Sequence, residues 1–135
     1  MSYAVSGALQ TAVYAALQAD TTLETLVGDN IFDALPTGTL PQTYVALGPE
    51  TATEAGDGTD AGAWHEFVIS VVTEIAGFLT AKQAAGAISD VLHEAELTLT
   101  RGQLVGMWFR KAKATRETGG LRRIDLTFRA RVEDN

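Results

Sequence analysis

Apolar positions recur at two different spacings along this chain, and each change of spacing marks an element boundary. Val5, Leu9, Ala12, Val13, Ala16 and Leu17 follow one another at helical spacing. They predict a helix over Ser6–Asp20, with the Ser6 hydroxyl as N-cap for an orphan amide of the first turn. Asp20-Thr21-Thr22 interrupts the pattern, and a short helical turn over Leu23–Val27 is expected to stop at Gly28. Phe78, Ala81, Ala85, Ile88, Leu92 and Ala95 make a second stripe, which predicts a helix over Gly77–Ala95. Its alanines allow a close approach to whatever it packs on. Gly86 in its interior costs roughly 1 kcal/mol relative to alanine, and close packing would be a reason to tolerate that.

Elsewhere the period is two. Thr43–Leu47 reads as a strand bounded by Pro41 and Gly48-Pro49, because proline lacks the amide donor a ladder needs. In Trp64–Thr73, Phe67, Ile69 and Val71 share one face and Val68 and Val72 the other. Apolar residues on both faces suggest a central strand. Leu97–Thr115 continues the strands, with bends at Gly102 and Gly106 and an apolar face of Val105, Met107 and Phe109. Glu117-Thr118-Gly119-Gly120 is a turn, since paired glycines accept positive φ. In the last strand Ile124, Leu126, Phe128, Ala130 and Val132 alternate with Arg123, Asp125, Thr127, Arg129 and Arg131. One face in the core and one face wet gives that pattern, and a one-residue slip would expose every apolar side chain. The order of elements predicts an α+β fold: one domain over residues 1–135, with an antiparallel sheet of about four strands and two α-helices on one face.

Glu50–Ala63 has no large apolar residue and therefore nothing to bury. A long, mobile loop or hairpin tip is expected there, a feature that is often an interaction site. Its acids Glu50, Glu54, Asp57 and Asp60 are candidate contacts.

Composition changes this picture mainly through charge. With 46% apolar and 20% charged residues the chain reads as globular. No run is long enough to cross a bilayer, and no basic and apolar leader opens the chain. A protein made in a cytoplasm, without membrane contact, is expected. The net charge of −7 is unevenly laid out: residues 1–100 hold one base, Lys82, and 13 acids, whereas residues 101–135 hold nine bases and four acids. Such asymmetry marks either a nucleic-acid surface or a self-complementary assembly surface. Arg123, Arg129 and Arg131 share the wet face of the last strand. Arg110, Lys111, Lys113 and Arg116 lie on the strand expected to pair with it. Single-strand binders also need exposed aromatics to stack bases, and only Trp108 lies nearby. Docking on the acidic body of a neighbouring copy is the better use for this sheet. A heterologous contact of that kind can close into a ring.

Catalytic chemistry finds no footing. The chain has no cysteine, which removes disulfides, thiolate metal sites and thiol nucleophiles together. His93-Glu94 on a helix cannot converge on one ion, and His65 has no ligating partner at metal spacing. No serine sits in a GxSxG elbow, and neither GxGxxG nor a P-loop is present. Gly56–Asp60 is a poor likeness of a calcium loop, lacking the distal glutamate and spaced acids. No cofactor, metal site or catalytic residue is therefore assigned.

The ordered set of short matches along the whole chain resembles the tail terminator (tail completion) proteins of long, non-contractile phage tails. The version in phage-derived gene transfer agents is the most similar. The likeness is carried by Ser2-Tyr3-Ala4-Val5-Ser6, Leu9-Gln10, Val13–Leu17, Leu26-Val27-Gly28 and Ile31–Pro36. It continues through Pro41, Tyr44–Gly48, Phe67–Val71, Gly77-Phe78, Leu104-Val105-Gly106 and Arg123–Val132. The resemblance implies an α+β domain without catalytic residues or cofactor. It implies a hexameric ring of identical copies on the head-proximal end of the tail tube, in the neck of a phage-like particle. Its partners would be the tail tube protein and a head-side connector or stopper, with DNA passing through the channel unread. Alternatives are a connector or tube subunit and, in another class, a small nucleic-acid-binding module using the basic hairpin.

Overall fold

A computed structural model describes residues 2–55 and 62–134. A 3-10 turn, Ser2–Val5, leads into α1 (Ser6–Ala19), and α2 (Thr21–Val27) follows. Then come β1 (Ile31–Phe32), β2 (Thr43–Glu54), β3 (Gly62–Thr73), α3 (Leu79–Leu92), β4 (Gln103–Arg116) and β5 (Arg122–Glu133). The strands form one open sheet in the order β1-β2-β3-β5-β4. Pairing is parallel between β1 and β2 and antiparallel elsewhere.

The core lies on one face of this sheet. Ile124, Leu126, Phe128, Ala130 and Val132 of β5 are buried opposite Val71, Ile69, Phe67, His65 and Ala63 of β3. Against them pack Leu9, Val13 and Leu17 of α1, Leu23 and Val27 of α2, and Ala81, Ala84, Ala85, Ile88 and Leu92 of α3. Phe128 stacks on Phe67 and meets Phe109 edge-on, both at 5.9 Å between centroids.

The α+β class matches the expectation, with five strands rather than about four and three α-helices rather than two among the described residues. The fifth strand, β1, has two residues, too few for alternation to show. The third helix, α2, owes its start to Asp20, whose carboxylate accepts the Leu23 amide at 2.9 Å. Gly28, at φ 63°, ends it. Ser6 does not cap α1: the 3-10 turn before it leaves Val5 at the N-cap position and Ser6 as the first helical residue, and its hydroxyl donates to the Glu50 carboxylate at 2.8 Å. Gly86 is not explained by close packing, since a Cβ there would meet nothing within 4 Å.

Two further expectations change at bulges. β2 does not stop at Gly48-Pro49 but runs on to Glu54, because the register shifts between Leu47 and Glu50. A bulge is where a strand can carry a proline, as the ladder there needs no amide. Half of the expected loop over residues 50–63 is therefore hairpin arm, residues 50–54 in β2 and 62–63 in β3. Its tip, with Asp57 and Asp60, lies outside the described residues. In β4 the register shifts between Leu104 and Gly106 and again between Phe109 and Lys111. Val105 is the inserted residue of the first bulge and is exposed, so the inward face of β4 is Leu104, Met107 and Phe109.

Candidate assembly surfaces

The helices leave the other face of the sheet uncovered, and register decides which side chains share it. Trp64 pairs with Arg131, Glu66 with Arg129, Val68 with Thr127 and Ser70 with Asp125. On the β4 side Trp108 pairs with Arg129, Lys111 with Thr127 and Lys113 with Asp125. The Arg129 guanidinium carbon lies 4.0 Å from the centre of the Trp64 ring, and that of Arg131 lies 5.8 Å away. Trp108 tilts against Trp64 at 6.1 Å. These two arginines are thus laid on an aromatic surface rather than free in solvent. Beside them, Ser70 donates to Asp125 at 2.6 Å and Arg123 Nε donates to the same oxygen at 3.0 Å. Lys111 and Lys113 join this trio around a shallow depression of about 320 Å³.

The basic residues predicted from the sequence are therefore only partly one surface. Lys111, Lys113, Arg123, Arg129 and Arg131 share the uncovered face. Arg110 is the inserted residue of the second β4 bulge. Arg116 pairs with Arg122, on the helix side of the sheet. Arg110, Lys111, Lys113 and Arg116 are all exposed and make no ion pair among the described residues. Arg123 pairs with Glu117 and Asp125, and Arg131 with Glu133. Arg101 is held by two bonds to Asp134, at 3.0 and 2.9 Å, which raise its pKa further.

The acidic candidates also separate. Glu54 sits exposed at the end of β2. Glu50 lies half-buried in β2 and accepts from Ser6, and its Oε2 is 3.1 Å from Nδ1 of the fully buried His65. Tyr3 stacks on the His65 ring at 6.1 Å. This cluster ties the N-terminal turn to the sheet. At the β1 edge, Glu24 and Asp29 border a recess of about 390 Å³ with Gln18, Gly28 and Ile31.

The tryptophan–arginine stack and the Ser6–Glu50–His65 anchor escape a reading of the sequence, because both depend on cross-strand register. His93, at the α3 C-terminus, accepts the Phe109 amide on Nδ1 at 3.1 Å and so fixes the helix end to β4. Among the described residues no group of three metal-ligating side chains forms. The gap between α1 and the β2 bulge, at about 30 Å³, has room for a water or two and not for a substrate.

A sheet with helices on one face only and charged side chains along its exposed β4 edge fits a protein that works through its surfaces, an assembly protein. Residues 11–133 match the family model of the tail completion protein gp17, and the chain belongs to that family. It is also similar to a chain of the "virion of native gene transfer agent (GTA) particle", at 60% identity and a TM-score of 0.92. That match covers 97% of this chain and 98% of the other. No curated protein matches. As a tail completion protein the chain is a structural component and not an enzyme.

Proposed function

We propose that this chain is the tail terminator of a gene-transfer-agent-type particle. Six copies form a ring on the head-proximal end of the tail tube. The ring ends tube elongation, offers the surface on which a head-side connector docks, and leaves a channel through which DNA passes unread. The observation that carries this reading is the match to a gene transfer agent virion chain along nearly the whole length of both proteins. The physical layout supports it. The sheet has an acidic edge at one end and a basic edge at the other, so identical copies can meet head to tail, and such contacts close when the rotation allows. On the uncovered face Arg129 lies over the Trp64 ring, which is therefore not bare for stacking a base. That disfavours a single-strand-binding role.

The test is the mass of the purified protein by light scattering after size exclusion, with and without tail tubes. A discrete ring, alone or on tube ends only, is the expected result. A monomer that ignores tubes and binds DNA would overturn the reading.

A further inference from the structure

We infer that the ring contact joins the tip of β4 in one copy to the acidic corner around α2 and β1 in the next. This rests on the ring reading above and names the two surfaces that make it.

Three observations point to β4. Arg110, Lys111, Lys113 and Arg116 crowd seven residues of an edge strand with no acid among them. All four are exposed, and none has an ion partner among the described residues. Between them Ala112 and Ala114 are also exposed, although they pair with the buried Leu126 and Ile124. The helices therefore stop short of this tip, and bare alanines leave its inner side flat. Finally, Arg116 pairs directly with Arg122. Like charges opposite each other across a ladder cost stability. An acidic group docking beside the exposed Arg116 would offset that repulsion.

The complementary surface lies at the far end of the same sheet. β1 is the opposite edge strand. The chain has no base before Lys82, so α2, β1 and the turn between them carry acids and no base of their own. Glu24 and Asp29 are exposed and flank a recess wide enough to admit a lysine or arginine side chain. Sheet order thus puts cations on one edge and carboxylates on the other, some four strand spacings away, or roughly 19 Å. Opposite ends of one element are what a head-to-tail contact uses. The lysines and two bulges on β4 also discourage strand-to-strand pairing, so the contact is made by side chains.

The experiment uses two full-length variants, Lys111→Glu/Lys113→Glu and Glu24→Lys/Asp29→Lys. All four positions are exposed, and unchanged thermal unfolding checks the fold. Lys111→Glu/Lys113→Glu cancels the charge of the tip, with two carboxylates beside Arg110 and Arg116, and Glu24→Lys/Asp29→Lys sets cations against cations, so ring formation on tail tubes should fall by about tenfold or more with either alone. In an equimolar mixture every contact can pair opposite charges if the two alternate, and assembly should return to near the wild-type level. If wild type forms rings and both variants do so equally well, this contact is wrong while the ring reading stands. If wild type forms no ring even on tubes, the ring reading itself fails and takes the contact with it. Salt-dependent DNA binding that Lys111→Glu/Lys113→Glu abolishes, without loss of rings, would make the tip a phosphate-binding surface instead.

Discussion

Glu50 shows how one side chain can change its meaning between sequence and structure. In the sequence it opens an acidic stretch with nothing to bury. In the fold its carboxylate accepts from Ser6 and lies against His65, so it fastens the N-terminal turn and the start of α1 to β2 and β3. Glu50→Ala should therefore cost about 1–3 kcal/mol, because it leaves buried His65 without its partner. Urea unfolding measures this, and amide exchange should rise first in residues 2–9; unchanged exchange there would remove the anchoring role. Glycines divide sharply at the same scale. Gly102 sits at φ 73°, and a Cβ would lie 2.5 Å from the Glu133 carbonyl oxygen. Gly102→Ala is expected to destabilise by about 1–3 kcal/mol. Gly86 is exposed within α3 with open space around it, and Gly86→Ala should stabilise by about 0.5–1 kcal/mol. Thermal unfolding of the pair, read side by side, checks both signs.

Among the elements, α1, α3 and β5 are legible in the sequence because each buries one face at a steady period, and β3 because it is apolar on both faces, with Val72 buried behind Ile69 and Val71. β5 is the clearest case: all five residues of its predicted core face are buried. What the sequence hides is set by pairing. β1 has no period of its own and exists through β2. Pro49 looks like a boundary until the bulge that accommodates it is known. The insertions at Val105 and Arg110 change which residues of β4 face together, so Val105 faces outward and Arg116 leaves the set formed by Arg123, Arg129 and Arg131. The β2–β3 hairpin carries its own prediction. Ala55 donates to the Gly62 carbonyl at 3.0 Å, so the arms are closed below the tip. Deleting residues 56–60 should leave the domain folded, with its unfolding midpoint shifted by little, while particle yield falls. Full yield after the deletion would show that the tip takes no part in assembly.

For the whole molecule, the decisive quantity is where charge sits rather than how much there is. A net charge of −7 suggests mutual repulsion, yet the last 35 residues carry an excess of base, and the sheet sets that base apart from the acidic β1 edge. Copies aligned head to tail place opposite charges together at short range, even though their net charges repel. Short-range attraction between exposed groups is screened over a Debye length of about 10 Å at 0.1 M salt and about 3 Å at 1 M. Apolar burial behaves in the other direction, since excluded salts such as sulfate strengthen it. Ring formation should accordingly weaken as sodium chloride rises from about 0.05 to about 0.5 M, and the Lys111→Glu/Lys113→Glu protein mixed with Glu24→Lys/Asp29→Lys should show the same slope. The measurement is assembled mass by light scattering on tail tubes across that series. Rings that persist unchanged through it would mean that apolar contact, with exposed Leu79 and Tyr3 the first surfaces to test, holds the copies together in place of the charged edges.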